Sequence, residues 1–234
     1  MEFTLLFAAA MAFAAGVLAL RWEAARGNAA DCASDLGQVL LTATIVGLFV
    51  GRLAAMIGSG VNPLTSPMDI LIVRGGVATG PAALAALATV AFVARDELIQ
   101  VADAVAVASL AALGGWQLGC LPREACLGTP TDLPWAMTQP GSSVGRHPVE
   151  LYAAAIYLVA AAVLAVVRKR RLAPGLAAAT ALIVAAAGRL VTEPLRPSLG
   201  GGPIWWYTAG IVLGLGAVWA VHRQTVSRPP VRPV

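Results

Sequence analysis

The chain has 234 residues, of which 59% are apolar and only 12% are charged. Soluble domains carry about 45–50% apolar and about 25% charged residues, so this composition excludes a water-soluble globular protein. The formal net charge of +4 does not indicate a nucleic-acid-binding protein, because the cations lie mainly in short loops and form no basic stripe with aromatic side chains. We therefore expect an integral membrane protein without a nucleic-acid partner.

Seven apolar runs follow one another along the chain. A helix that crosses the hydrocarbon core of about 30 Å needs about 20 predominantly apolar residues. The runs cover residues 3–20, 38–58, 71–94, 98–118, 150–167, 174–192 and 204–222. They predict an all-α integral membrane protein of about seven transmembrane helices, forming a single domain over residues 1–223. Residues 224–234 are expected to be a disordered tail.

The positions of lysine and arginine predict the orientation of these helices. If the amino terminus is outside, the outer segments hold only Arg123, Arg146 and Arg196. The other loop cations then face inward, including the basic run 168–171, which would be a cytoplasmic anchor. We therefore predict an outer amino terminus and a cytoplasmic carboxyl terminus.

Neither a cleaved leader nor a metal site is indicated. The first apolar run has no positively charged start and no small-residue cleavage pattern, so we expect an uncleaved helix. Three cysteines without a histidine cluster do not make a zinc site. Cys120 and Cys126 could pair if their loop is outside, but their spacing leaves this open.

Three arginines lie within or beside the apolar runs: Arg52, Arg74 and Arg189. A charged residue at the centre of a membrane helix costs about 2.5–3.5 kcal/mol on insertion scales, so such residues usually line a polar cavity. The alternative is that their long side chains reach the lipid headgroups.

Arg189 belongs to a charged series with Glu193 and Arg196, which share one face if the helix continues. Pro194 would bend or end that helix. We expect Arg189 and Glu193 to pair. A guanidinium beside a carboxylate remains a permanent cation suited to a phosphate, and the alternative is an ion pair that only joins two helices.

His147 precedes the fifth apolar run, after an outer segment that contains Trp135. Histidine titrates near neutral pH and could act as an acid or base. It could also only mark a helix start, because Pro148 and Glu150 are favourable residues in the first turn of a helix.

Taken in order, these motifs resemble the prolipoprotein diacylglyceryl transferase family over most of residues 45–200. The most specific block joins Arg146-His147-Pro148 to Leu151-Tyr152. The other matching segments are Gly51-Arg52, Arg74-Gly75-Gly76, Gly119 to Gly128, Pro130 to Ala136, and the series Arg189, Glu193 and Arg196.

The resemblance implies transfer of a diacylglyceryl group from phosphatidylglycerol to the lipobox cysteine of a lipoprotein precursor in the bacterial cytoplasmic membrane, with release of glycerol phosphate. Buried arginines would hold the lipid phosphate and stabilise its developing charge. No metal or organic cofactor is implied, and the nucleophilic cysteine belongs to the substrate. The implied catalytic residues are His147, Arg189 and Glu193, and the implied phosphate-binding residues are Arg52, Arg74, Arg146 and Arg196.

Three positions depart from the family pattern. Gly80 stands where the family commonly has histidine or tyrosine, and Gln117 and Cys120 stand where it has arginine and asparagine. These departures leave open a catalytically inactive lipid-binding or accessory membrane protein of the same fold. A small transporter or structural membrane protein is a further alternative, although no inverted repeat with paired broken helices is visible.

Overall fold

The computed structural model describes residues 2–28, 32, 35–71, 76–121, 127–168, 172–197 and 204–226. Eight helices and one short hairpin lie in these ranges. The helices are α1 (Glu2–Ala25), α2 (Leu36–Gly58), α3 (Met68–Leu71), α4 (Thr79–Val93), α5 (Leu98–Leu118), α6 (Val149–Arg168), α7 (Leu176–Thr192) and α8 (Ile204–Val226). A 3₁₀ turn, Glu193–Leu195, follows α7, and the strands β1 (Met137–Thr138) and β2 (Gly145–Arg146) pair antiparallel.

Six helices among the described residues are long and apolar enough to cross a membrane: α1, α2, α5, α6, α7 with its 3₁₀ turn, and α8. The predicted all-α integral membrane fold is confirmed. The orientation and the single domain over residues 1–223 stay predictions. The expected tail begins later than residue 224, because α8 continues to Val226, and residues 227–234 lie outside the described residues.

The third predicted span, residues 71–94, is not one continuous helix. The helix α4 has 15 residues, which makes it about 22 Å long and shorter than a hydrocarbon core of about 30 Å. Gly76 adopts a φ of 73°, a left-handed conformation in which a right-handed helix cannot continue. Averaged hydropathy does not register this break, because the residues on either side of Arg74-Gly75-Gly76 are mostly apolar.

Arg52 supplies hydrogen bonds to the main chain on both sides of this break. Its Nε and Nη2 donate to the carbonyl of Asp69 at 3.1 and 2.6 Å, and its Nη1 donates to the carbonyl of Gly76 at 2.9 Å. Irregular backbone at membrane depth needs such partners because no water is available there. The buried Arg52 therefore stabilises the interrupted segment.

The chain forms two compact units, one of residues 31–101 and the other of residues 1–30 with 102–234. In the first of these, α2 packs along α4. A Cβ atom at Gly47 would lie 2.9 Å from the Ala82 carbonyl oxygen, and one at Gly51 would lie 2.6 Å from the Ala82 Cβ. This spacing of small residues lets two membrane helices approach closely.

Close helix contacts at glycines recur in the larger unit, residues 1–30 with 102–234. A Cβ atom at Gly115 of α5 would lie 2.5 Å from the Met11 carbonyl oxygen of α1, and one at Gly119 would lie 2.2 Å from the Ala8 Cβ. On α8, a Cβ atom at Gly214 would lie 3.2 Å from the Ala179 carbonyl oxygen of α7. Close backbone contact therefore joins α1 to α5 and α7 to α8.

A buried polar cluster joins the end of α1 to the end of α6. Glu23 is fully buried, and its Oε2 lies 3.4 Å from Arg168 Nη1 and accepts a hydrogen bond of 3.0 Å from Asn28. Arg168 also donates to the main-chain carbonyls of Asn28 and Asp103. Arg168 thus has a structural partner, whereas the rest of the predicted basic anchor, residues 169–171, lies outside the described residues.

Asp103 of α5 caps the amino end of α7. Its carboxylate accepts hydrogen bonds from the main-chain N–H groups of Gly175 at 2.6 Å and Ala178 at 2.8 Å. Unsatisfied N–H groups at a helix start favour a negative charge, and here the charge comes from another helix. The cap fixes the start of α7 against α5.

We expect Gly115→Ala to lower the free energy of unfolding by about 1–3 kcal/mol, the usual cost of overpacking. The new methyl group would meet the main chain of α1, which cannot turn aside as a side chain can. Thermal unfolding in detergent measures the effect. Gly216→Ala is the matched control, because a Cβ atom there meets nothing within 4 Å; equal effects of the two substitutions would contradict the packing argument.

Candidate functional site

Three stretches of main chain meet just before α6. The N–H of Gly128 donates to the His147 carbonyl at 2.7 Å, and the N–H of His147 donates to the Thr129 carbonyl at 3.0 Å. On its other side, the N–H of Thr129 donates to the Leu195 carbonyl at 2.8 Å. This hydrogen-bonded layer of Gly128-Thr129, His147 and Leu195 brings the Arg146-His147 pair to the 3₁₀ turn that carries Glu193.

Gly128 is the point of closest approach in this layer. A Cβ atom there would lie 2.2 Å from the Leu195 carbonyl oxygen and 2.2 Å from Val149 Cγ2. The carbonyl of Gly128 also accepts a hydrogen bond of 3.1 Å from Arg146 Nη1. Only glycine therefore fits between α6 and the turn after α7.

Arg196 is held by two carboxylates. Its Nη1 and Nη2 donate to the two oxygens of Glu150 at 2.6 and 3.0 Å, and its Nε lies 3.9 Å from Glu193 Oε2. The Arg196 and Glu150 side chains are 20% and 19% exposed, so solvent screens their pair only weakly. Because this cluster has one cation and two carboxylates, it has no net positive charge.

The sequence did not predict the role of Glu150. Its position in the first turn of α6 is already favourable for an acidic residue, and its partner Arg196 lies 46 residues further along the chain. No local spacing could reveal such a pair.

The expected Arg189–Glu193 pair is wrong: among the described residues, no ion pair joins these side chains. The α-helix ends at Thr192, and Glu193–Leu195, which contains Pro194, forms a 3₁₀ turn. The Glu193 carboxylate instead lies 3.9 Å from Arg196 Nε, three residues further along the chain.

Arg189 is consequently a cation without a carboxylate partner. It lies half-buried in the last turn of α7, and within the described part of the chain its guanidinium has no hydrogen bond or ion pair. The helix carboxyl end favours a positive charge there. All five of its N–H donors are free for an anionic ligand.

His147 faces a tyrosine whose own position is fixed by a tryptophan. The indole Nε1–H of Trp135 donates to the Tyr152 hydroxyl at 2.8 Å, and that hydroxyl lies 3.5 Å from His147 Nδ1. Indole nitrogen only donates, so the Tyr152 oxygen accepts from Trp135, and the Tyr152 hydroxyl keeps its own proton to donate to His147 Nδ1. When Tyr152 donates to Nδ1, neutral His147 carries its ring proton on Nε2 and presents a hydrogen-bond donor there.

Two candidate residues remain, Arg52 and Arg74. Arg52 belongs to the unit of residues 31–101, where its donors are used by the main chain, and Arg74 lies outside the described residues. A cavity shared by Arg52, Arg74 and Arg189 therefore stays a prediction.

The three departures from the family pattern have different surroundings. Gln117 is buried, with 4% of its surface exposed. A Cβ atom at Gly80 would meet nothing within 4 Å. Cys120 is buried and disulfide-bonded, whereas Cys126, whose pairing with Cys120 the sequence left open, lies outside the described residues.

We expect Glu150→Ala to lower the free energy of unfolding by about 3 kcal/mol, because it removes the main partner of a weakly solvated cation. Asp132→Ala, at an exposed carboxylate of the segment between α5 and α6, should change it by less than about 0.5 kcal/mol. Thermal unfolding of both variants measures the difference. Equal stabilities would show that the Glu150–Arg196 pair contributes no more than a surface charge.

Comparison with known proteins gives consistent results. The family model described as prolipoprotein diacylglyceryl transferase matches residues 3–219. The phosphatidylglycerol–prolipoprotein diacylglyceryl transferase of Chlamydia trachomatis serovar D is 34% identical over 122 residues, covering 46% of this chain and 45% of that protein. The protein of the same name from Chlamydia muridarum is 32% identical over 122 residues, covering 46% and 44%.

The chain spans less than half the length of these two curated relatives. The family match, in contrast, extends over nearly all of it, including every candidate residue discussed above. This protein therefore belongs to the prolipoprotein diacylglyceryl transferase family.

Proposed function

We propose that the protein is a phosphatidylglycerol:prolipoprotein diacylglyceryl transferase of the bacterial cytoplasmic membrane. Its substrates would be phosphatidylglycerol and a lipoprotein precursor with a lipobox cysteine. The observation that carries the proposal, beside family membership, is the unpartnered guanidinium of Arg189 in the last turn of α7. A half-buried cation near the end of a spanning helix lies at the depth of a lipid phosphate.

Arg189 is the residue best placed to hold the lipid phosphate. A guanidinium binds two phosphate oxygens at once and keeps its charge at all relevant pH values. Arg146 can add further donors, since its Nη1 bonds only a main-chain carbonyl. Arg196 is neutralised by Glu150 and Glu193, so its role is to hold the 3₁₀ turn against α6.

The reaction is a substitution at the glycerol carbon that carries the phosphate. The cysteine thiol of the precursor gives its proton to the Glu193 carboxylate, and the resulting thiolate is the nucleophile. Sulfur forms a bond to the glycerol carbon while the bond from that carbon to the phosphate oxygen breaks. The electron pair remains on the phosphate, glycerol phosphate leaves, and Glu193 returns its proton to water. Arg189 stabilises the charge that grows on the phosphate.

His147 contributes to this reaction as a hydrogen-bond donor. When the Tyr152 hydroxyl, which accepts from Trp135, donates to His147 Nδ1, the ring proton of neutral His147 is on Nε2, and an N–H at that atom can bond a phosphate oxygen. This role differs from that of a general base, which would need an unprotonated Nε2.

The second candidate is a lipid-binding protein that keeps the fold without the chemistry. Gln117 favours it, because a buried neutral amide stands where the family pattern has a permanent cation. A protein of this kind would bind phosphatidylglycerol through Arg189 and transfer nothing.

The first test measures incorporation of labelled diacylglyceryl from phosphatidylglycerol into a lipobox peptide by the purified full chain. We expect transfer by the intact protein and a loss of about 100- to 1,000-fold in Arg189→Ala, the usual effect of removing a charge-stabilising donor. Arg189→Lys should retain part of the activity, because lysine keeps the charge and loses the planar fork.

The control is Arg95→Ala, which removes an exposed arginine between α4 and α5 and should leave transfer unchanged. Absence of transfer by the folded, intact protein with several acceptor peptides would instead favour the lipid-binding candidate. Full activity of Arg189→Ala would show that Arg189 does not take part in transfer.

A second test separates the two roles of His147. The side-chain amide of glutamine can donate from a position close to that of Nε2–H but cannot act as a base, so His147→Gln should keep most of the activity and His147→Ala should lose it. Initial rates at saturating phosphatidylglycerol measure both. Equal losses in the two variants would support a general base.

A further inference from the structure

Tyr157 is the largest side chain that is almost completely buried in the described part of the chain, with 1% of its surface exposed. It lies in α6, and its hydroxyl donates to the Ala185 carbonyl of α7 at 3.2 Å. Side chains on a helix point toward its amino end. The ring of Tyr157 therefore extends toward the end of α6 that carries Glu150.

The ring of Tyr157 rests directly on Gly188. A Cβ atom at Gly188 would lie 2.6 Å from Tyr157 Cε1 and 3.1 Å from both Cζ and the hydroxyl oxygen. The contact exists only because position 188 has no side chain. It fixes how α7 is rotated about its own axis relative to α6.

The hydrogen bond of Tyr157 reaches the turn of α7 that carries Arg189. In an α-helix, the N–H of residue 189 donates to the carbonyl of residue 185. The Tyr157 hydroxyl therefore shares the Ala185 carbonyl with the main chain of Arg189.

We infer that Tyr157 is a positioning residue for Arg189: its ring on Gly188 and its hydroxyl on Ala185 hold α7 in the rotation that directs the guanidinium at a lipid phosphate. The inference rests on the proposed function of Arg189. Tyr157 cannot touch the lipid itself, because almost none of its surface is accessible. Its effect must pass through the backbone of α7.

A double-mutant cycle on lipid binding tests this inference. The four proteins are the intact chain, Tyr157→Phe, Arg189→Gln and the double variant, and the ligand is radiolabelled phosphatidylglycerol. Tyr157→Phe keeps the ring and removes one buried hydrogen bond. We expect it to weaken phosphatidylglycerol binding by about five- to tenfold when Arg189 is present, and to have no effect in the Arg189→Gln background.

Diacylglycerol, which has no phosphate, is the comparison ligand, and its binding should be the same in all four proteins. Thr180→Val is the matched control on α7. It removes a hydroxyl that donates to the Leu176 carbonyl at 2.8 Å, far from Arg189 along the helix, and should leave phosphatidylglycerol binding unchanged. The same loss in both Arg189 backgrounds, or an equal loss of diacylglycerol binding, would overturn the inference.

Gly188→Ala is the second variant if Tyr157→Phe does not fold. Its methyl group would displace the Tyr157 ring, so the loss of phosphatidylglycerol binding must again depend on Arg189. An additive loss would overturn the inference.

The transfer assay separates this inference from the proposed function. If the effects of Tyr157→Phe and Arg189→Gln on phosphatidylglycerol binding are coupled but the intact protein transfers nothing, Tyr157 is the positioning residue of a lipid-binding site and the transferase is rejected. If the intact protein transfers diacylglyceryl but the effects of the two substitutions on phosphatidylglycerol binding are additive, the transferase is supported and the role of Tyr157 is rejected.

Discussion

The bidentate ion pair between Arg196 and Glu150 determines what the other charges at this end of the molecule can do. It joins the turn after α7 to the first turn of α6, with Glu193 as a second carboxylate near the same guanidinium. Because both carboxylates face Arg196, neither is left for Arg189. A cation that is expensive to place in a membrane helix therefore remains without a partner in the described structure, and an anionic lipid headgroup is the ligand that would satisfy it.

The same need to satisfy polar groups without water explains other features of the fold. Arg52 donates to the main chain on both sides of the break before α4, and Asp103 accepts from the exposed N–H groups at the start of α7. Glycines at close contacts let the helices approach without a hydrophobic driving force between them. These contacts make α7 a helix whose start, rotation and end are each fixed by other elements.

The sequence predicted the membrane fold well, because long apolar runs have few alternatives to helices in a bilayer. The break before α4 was missed, since the residues on either side of Arg74-Gly75-Gly76 are mostly apolar. The sequence named candidate residues for the site from the block Arg146-His147-Pro148 and from the series after residue 188, and their roles stay predictions. The sequence did not reveal the contacts between them, because Glu150 and Arg196 are far apart in the chain and Glu193 lies near Arg196 rather than pairing with Arg189.

The central claim is that Arg189, and not Arg196, holds the lipid phosphate. An experimental structure of the full chain with bound phosphatidylglycerol tests it most directly, through the distances from the phosphate oxygens to the two guanidinium groups. We predict a phosphate oxygen within hydrogen-bonding distance of Arg189 and an intact pair between Arg196 and Glu150. A phosphate bound to Arg196, with Glu150 displaced from it, would contradict the account.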